Sequence, residues 1–369
     1  MDEHRSLCGV FISGNKRQSL GERVTGVFLF FRVCLSEERF LEMKSKWKKW
    51  GITFLAATAM VVITGCQKQS RSNGTIKIGI LQLIDQKALN AAKRGFTEEL
   101  AQKGYHGSKL KIDFLNANGD QSNLTAMSAR LAQDHNTLNL AIATPAAQAL
   151  HKAAPKTPLL FTAITDPKSA GLMTDTKRPD RNATGVTDLV NVKGQIDFTH
   201  RLFPKAKTVG LLYNAAEPNS VYQIKLAEKE LKRLKLKVVV KTAATTNDVE
   251  QAAQALSQKA DVIYVPTDNV AAAAMPTIGK VSAATKTPVV NADATMIKYA
   301  GVATVGVDYE DLGRQTAKMA IALLKGKKPR SLPLESPAKL HLKMNASRMK
   351  QFHVTAAQAR RAAKAVRGK

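Results

Sequence analysis

Cysteine, tryptophan, histidine and acidic residues are all scarce in this chain of 369 residues, and each scarcity excludes something. The three cysteines, Cys8, Cys34 and Cys66, lie in the first 66 positions. The chain beyond Cys66 therefore has no disulfide framework, no cysteine metal site and no thiol nucleophile. Both tryptophans, Trp47 and Trp50, also precede that point. The seven histidines are scattered, with no HExxH pair and no metal-ligand spacing. No GxGxxG or GxxxxGK[ST] run supplies a phosphate cradle, so dinucleotide and P-loop chemistry lack their loops. Acidic residues number 29 against 56 basic ones, a net charge of +27. No apolar run approaches the ~20 residues a membrane-spanning helix needs. No cofactor and no metal are expected.

The longest apolar run is informative because it is short. Lys44, Lys46, Lys48 and Lys49 precede a run from Gly51 to Val62, which closes on Ile63-Thr64-Gly65-Cys66. A basic n-region, a short apolar core and small residues before a cut describe a secretory signal peptide over residues 43–65. A cysteine just after the cut resembles the lipobox of bacterial lipoproteins. Cys66 is then the lipidation site, and acyl chains stabilise membrane attachment by roughly 0.8 kcal/mol per buried CH₂. Residues 1–42 fit no such plan. They carry six acidic and six basic residues without helical period, and a purine-rich codon run is compatible with Glu37-Glu38-Arg39, just upstream of Met43. Translation is expected to start at Met43, with residues 1–42 a mis-called leader.

The segment from Cys66 onward holds 46 basic and 23 acidic residues. Such a balance suits nucleic acid or an anionic surface. Export decides between them: no nucleic acid is expected, and lipid headgroups or anionic wall polymers are the nearer partners. The expected location is the cell membrane, lipid-anchored on its extracytoplasmic face, with the protein a monomer.

Residues 66–74 read as a polar tether. From Thr75 short apolar strands alternate with helical patterns. Ile76 to Leu83 reads as a buried strand, and Leu89, Ala92, Phe96 and Leu100 recur at helical spacing before Gly104. The rhythm continues at 110–115, 138–143 and 159–163, and restarts at 208–213, 238–241, 262–265, 289–291 and 303–307. A helix from Asn247, boxed by Glu250, is expected. Strands and helices in this alternation imply parallel sheets covered on both faces. The polar stretch Asp175 to Asn182 interrupts the pattern and suggests a crossing between lobes. The fold class is α/β, with two doubly wound parallel-sheet lobes, a hinge and a ligand cleft between them. The boundaries are 75–187 and 309–330 for the N-terminal lobe and 188–308 and 331–350 for the C-terminal lobe. Residues 351–369 read as a basic tail.

Ligands of open α/β sheets sit beyond the carboxyl ends of the strands, and polar residues collect there. Thr144 reads as an N-cap with Pro145, Ala146 and Ala147 in the first turn, whose free N–H groups suit a carboxylate. Thr165-Asp166-Pro167 follows the fourth strand. In the second half come Asn214, Glu217, Asn219 and Ser220, then Thr267-Asp268-Asn269, then Asn291 with Asp293, then Asp308-Tyr309. Each alone reads equally as turn or cap chemistry; their recurrence at successive strand ends points to one cleft.

These residues resemble the tryptophan/tyrosine-type substrate-binding lipoproteins of bacterial ABC uptake systems, from about Ile76 to Asn345. The resemblance rests on the run 116–123, on Ala143-Thr144-Pro145-Ala146-Ala147-Gln148, Thr165-Asp166-Pro167, Tyr213-Asn214 with 217–220, Pro266-Thr267-Asp268-Asn269 and Gly306-Val307-Asp308-Tyr309. It implies a type I periplasmic-binding-protein fold and an amino-acid ligand, aromatic by preference. It also implies hinge closure on the ligand, and delivery to a membrane permease driven by an ATPase. One departure comes after the first strand, where the family tends to carry His-Pro and this chain has Asp85-Gln86-Lys87. For a zwitterion, Thr144 to Ala147 would take the carboxylate and Asp268 or Asp308 the ammonium. Asn214 and Asn291 would add neutral hydrogen bonds, and Tyr309 a stacking surface. A sugar or nucleoside in the same cleft is the alternative. An exported hydrolase and a sensor domain are more remote: the first lacks a motif, and a DNA-binding sensor needs a helix-turn-helix where this chain carries a signal peptide.

Overall fold

The computed structural model describes residues 75–367. The leader, the signal peptide, Cys66 and the tether lie outside the described residues.

The first sheet is built from β1 (Ile76–Gln82), β2 (Leu110–Asn116), β3 (Leu138–Ile142), β4 (Leu159–Ile164) and β5 (Ala183–Thr187). All pairings are parallel, in the order β2-β1-β3-β4-β5. Between them run α1 (Lys87–Gln102), α2 (Gln121–Gln133) and α3 (Thr144–Ala153). β3 and β4 are buried at every position, which is why they read as continuous apolar runs rather than alternations. The second sheet takes β6 (Thr208–Tyr213), β7 (Lys237–Thr242), β8 (Val262–Val265) and β9 (Val289–Asn291) in the order β7-β6-β8-β9, again parallel. Its helices are α4 (Val192–Leu202), α5 (Pro218–Arg233), α6 (Val249–Ser257), α7 (Asn269–Ala273) and α8 (Met275–Thr285). β10 (Ala303–Val307) pairs antiparallel with β11 (Leu340–Met344). The alternation of short buried strands with helices of period 3.6 is thus realised as two lobes of one α/β plan.

Three segments join the lobes. Asp188 to Asn191 leads from β5 to α4, and Asp308 leads from β10 to α9 (Tyr309–Leu324). The third is the return after α9. α9 belongs with the first lobe because it lies against α1 at very short range. A Cβ on Gly313 would stand 2.0 Å from the Ala92 carbonyl oxygen, and one on Gly95 would stand 2.1 Å from that of Glu310. Only hydrogen at both positions lets the helix backbones approach this closely.

Three details differ from the sequence reading. Residues 331–339, assigned to the second lobe, run beside β5: the Thr187 N–H donates to the Glu335 carbonyl and the Glu335 N–H to that of Gly185, at 2.9 and 3.0 Å. The segment from 351, read as a basic tail, holds α11 (Ala356–Arg367) after a short α10 (Ala346–Gln351). Ala359, Ala362, Ala363 and Val366 are buried in the second-lobe core while Arg360, Arg361 and Lys364 face solvent. Small residues at helical spacing let the helix dock although its composition is basic. The capping box sits at Thr245 and Asp248, two residues before the expected Asn247 and Glu250. The pattern of a hydroxyl with an acid three residues on occurs there as well, and the chain uses it.

Candidate functional site

Between the lobes lies a narrow, nearly filled cavity of about 10 Å³, room for about one water molecule. The first lobe contributes Gln86 and Leu89 from the start of α1, Ala163 and Thr165 from the end of β4, and Tyr309 from the start of α9. The second lobe contributes Asn219 from α5, the run Pro266 to Asn269 after β8, Ala272 and Met275, and Asn291 and Asp293 at the end of β9. Asp188 enters from the hinge. Most of these positions follow from the parallel sheets, whose carboxyl ends meet across the gap; Tyr309 instead follows β10, which pairs only with β11.

The lobes are closed on this cavity. The Gln223 amide of α5 donates to the Thr165 hydroxyl at 2.9 Å, and the Thr165 hydroxyl donates to Asp188 Oδ1 at 3.1 Å. Tyr309 donates its phenol proton to Asp188 Oδ2 at 2.9 Å. Gln223 Oε1 accepts from the Thr267 N–H at 3.2 Å. One hydrogen-bonded chain therefore runs from the second lobe, through the first, to the hinge.

The electrostatics are one-sided. Asp188 and Asp293 line the cavity at 2% and 6% exposure, and no lysine, arginine or histidine lines it. Burial pushes the Asp188 carboxyl up to about 6, against the hydrogen bonds from Tyr309 and Thr165, which favour its ionised form. Burial pushes Asp293 up to about 7, and the negative charge of Asp188 adds to the rise. Burial and both carboxylates also hold the Tyr309 phenol well above its usual range, so it stays a donor. Asn219 spends its amide hydrogens on Glu217 and Thr267, while its buried Oδ1 has no partner. Gln86 caps α1 by accepting the Ala88 N–H at 2.7 Å through Oε1, which leaves its amide N–H₂ available to the cavity. The cavity thus offers acceptors to a cation at one place and a neutral donor at another.

Of the residues singled out from sequence, Thr165, Asn219, Thr267, Asp268, Asn291 and Tyr309 meet at this cavity. The others serve elsewhere. Although it borders the cavity, Asp268 is already saturated: it accepts from the Asn214 N–H at 2.7 Å, the Ser220 hydroxyl at 2.6 Å and the Ala271 N–H at 2.8 Å, and so caps α7 and ties it to α5 and the loop after β6. Asn214 and Ser220 are its partners rather than cavity walls. Asp308 caps α9 through the Glu310 and Asp311 N–H groups and lies outside the cavity. Asp166 accepts backbone N–H groups of its own turn, from Lys168 and Ser169. Thr144 is the first residue of α3 rather than its cap; that place is taken by Ala143 at a positive φ of 86°. The Thr144 hydroxyl is buried without a partner, Pro145 is partly exposed, and Ala146 and Ala147 pack in the core. Asp268 thus takes up a structural duty, because a buried anion is stabilised by the nearest N–H groups.

Sequence reasoning left Asp188, Met275 and Asp293 out of the site, and singled out Gln86 only within the loop after the first strand that departs from the family and faces the cleft. Asp293 stood in a polar cluster at a strand end and could have been chosen. Asp188 was hidden as the last polar residue of an apolar stretch, Ala183 to Leu189, and only the hinge turns it inward. Glu217 is a further buried acid. It accepts from the Asn269 and Val270 N–H groups at 3.0 and 3.1 Å, and burial with the Asp268 charge raises its pKa. Among the described residues no group of three or more His, Cys, Asp or Glu is arranged to hold a metal ion.

Comparison with known proteins agrees with this geometry. The family model of the ABC transporter substrate binding protein matches residues 77–365. A tyrosine-binding protein of Clostridioides difficile strain R20291 is 33% identical over 320 residues, covering 84% of this chain and 92% of that one. Among solved structures, an ABC domain from Streptococcus pneumonia in complex with L-Trp is 34% identical with a TM-score of 0.73, covering 76% of this chain and 95% of that one. A ligand-free, open substrate-binding protein with adhesive properties from Clostridium difficile is 35% identical with a TM-score of 0.60, covering 76% and 96%. At equal identity the open protein superposes less well, as expected when the lobes of this chain are closed.

Proposed function

The chain belongs to the ABC transporter substrate-binding protein family, and on that footing we propose that it captures a free aromatic amino acid, tryptophan or tyrosine, and hands it to a membrane permease. Proteins of this family work outside the cytoplasm and bind small molecules for an ABC permease. The finer reading adds a lipid anchor at Cys66 and a monomeric protein working from the outer face of the cell membrane.

The observation that carries the ligand class is the pair Asp188 and Asp293, buried at the cavity with no cation among the lining residues. Two buried carboxylates that repel each other are stabilised by a cation placed between them. An α-ammonium group supplies that charge and three donors. Leu89, Ala163, Pro266, Ala272 and Met275 are the apolar wall available to an aromatic side chain, and a methionine sulfur suits a ring edge. The free amide of Gln86 is the candidate donor to the carboxylate. The likeness to the tyrosine-binding and L-Trp-bound relatives supports the aromatic preference.

Capture proceeds by closure. Ligand enters between open lobes, its ammonium neutralises the two aspartates, and the Gln223–Thr165–Asp188 chain then forms across the gap. Closure is selected because the ligand binds the closed form better than the open one. The protein from Cys66 onward contains no tryptophan, since Trp47 and Trp50 precede it. Free L-tryptophan should therefore gain fluorescence polarisation on adding the mature protein, with L-tyrosine competing. If no aromatic amino acid gives a signal while a sugar or nucleoside raises the melting temperature, the ligand reading is wrong and the fold stands.

A further inference from the structure

Beside the cavity the two lobes form a second feature, an open groove on the outside of the closed molecule. Its first-lobe wall is α1, with Lys87 and Arg94; its second-lobe wall includes Lys298 and Lys343. Two acids, Asp308 and Glu310, line it as well. Both are already engaged within the chain. Glu310 pairs with Arg94 and, at 2.8 Å, with Arg314, and Asp308 caps α9. Lys87, Lys298 and Lys343 are exposed, and among the described residues none has a carboxylate within ion-pair distance. Lys298 only overlies the ring of its neighbour Tyr299 at 5.0 Å. Four cations therefore face two carboxylates in the groove, and the three lysines, contributed by both lobes, carry its excess positive charge.

The groove is coupled to the cavity through adjacent residues. Gln86 lines the cavity and Lys87 the groove; Asp293 lines the cavity and Ala294 the groove. Opening the lobes separates the wall at Lys87 from the wall at Ala294 and Lys298, and the charges no longer converge. The groove is a property of the closed state, and a partner reading it reads loading.

We propose that this groove is the docking site by which the permease recognises the loaded protein, through an acidic segment of the permease that enters it. The inference rests on the importer reading above. A concave slot between two lobes suits a protruding peptide rather than a flat lipid surface, and unneutralised lysines call for carboxylates. Arg94 is held by Glu310, so the lysines are the residues to test.

The triple charge reversal Lys87→Glu, Lys298→Glu and Lys343→Glu is compared with the wild type and with the triple arginine variant, each as the full lipidated protein in cells. L-tryptophan affinity is measured on purified protein by polarisation, and uptake of labelled L-tryptophan in cells. The expected result is affinity within threefold of wild type, uptake reduced at least tenfold, and uptake retained with arginine. Unchanged uptake in the charge-reversal variant overturns the proposal. So does loss of uptake matched by loss of affinity, or charge-dependent binding of the wild type to phosphatidylglycerol vesicles that alone accounts for the uptake defect. A wild type that neither binds nor delivers L-tryptophan sinks the ligand reading instead. The groove is then tested by Lys298→Cys, which adds the single free thiol of the mature, acylated chain. A thiol-to-amine or thiol-to-carboxylate cross-link to the permease supports the groove, and no such cross-link in either closed or open protein overturns it.

Discussion

Replacing Asp293 by asparagine separates a ligand-binding role from a structural one, because the two predict opposite signs. Burial raises the Asp293 pKa from 3.8 to about 7. That shift corresponds to roughly 4 kcal/mol of penalty on the ionised form at 1.36 kcal/mol per unit. A group whose folded pKa lies above its unfolded value destabilises the closed, empty protein as pH rises through that window, here from about 4 to about 7. Asparagine keeps the side-chain oxygen that accepts the Thr295 N–H at 2.6 Å and can cap equally well, but carries no charge. At pH 7.5 the empty variant should melt higher than the wild type, by about 8–16 °C where the whole penalty is relieved, since each kcal/mol shifts a domain of this size by about 2–4 °C. At pH 5 the folded carboxyl is protonated while the unfolded one is ionised, so the difference should shrink to under half, and it should vanish only below about pH 4. Ligand affinity should move the other way. Truncating one partner of a buried charge pair costs about 2–5 kcal/mol, or about 30-fold to several thousandfold. Calorimetric titration with L-tryptophan and thermal melts at the two pH values measure both. A variant that binds within threefold of wild type, or that melts lower at pH 7.5, would refute the assignment of Asp293 to the ammonium.

Asp268→Asn should show the reverse behaviour: its three donors already saturate the carboxylate, so an amide N–H₂ facing them should lower stability by about 1–3 kcal/mol, read as a fall in melting temperature without ligand. Because Asp188 is raised to about 6 and Asp293 to about 7, small-angle scattering should find the empty protein more compact at pH 5 than at pH 7.5, whereas a ligand ammonium favours the ionised pair and ligand binding in this window should release protons into buffers of differing ionisation enthalpy; no proton release on titration would argue against the pair. Gly313→Ala puts a methyl 2.0 Å from the Ala92 carbonyl, so α9 must shift away from α1; a loss of about 1–3 kcal/mol with weakened ligand affinity, through displaced Tyr309, is expected in denaturant and binding titrations. Cys66→Ser should release the protein from membranes in a high-salt wash, where charge attraction is screened with a Debye length of about 3 Å at 1 M; a variant that stays membrane-bound would end the lipid-anchor reading.

Local pattern was enough to establish the class of the molecule. Short buried strands such as Leu138–Ile142, alternating with amphipathic helices such as α1, leave little besides parallel sheets with helices on both faces, because both periodicities are local properties of the chain. The concentration of Thr165, Asn219, Thr267, Asn291 and Tyr309 at strand ends likewise located the cleft. The docking of α11 was half-legible: the buried spacing of Ala359, Ala362 and Val366 was there to read, but basic composition outweighed it. The use of each acid, by contrast, was set by tertiary packing. Asp268, Asp293 and Asp308 look alike in sequence, each a strand-end acid positioned to cap a helix or turn. Asp268 is consumed by three donors from one loop and two helices, Asp308 turns to its own helix outside the cavity, and Asp293 is left beside Asp188 with no cation near. Asp188 owes its place to the chain crossing between lobes, which brings the end of β5 to Tyr309 across 121 residues. Whether a carboxylate caps, braces or waits for a ligand depends on which donors other segments bring within 3 Å, and no local pattern encodes that.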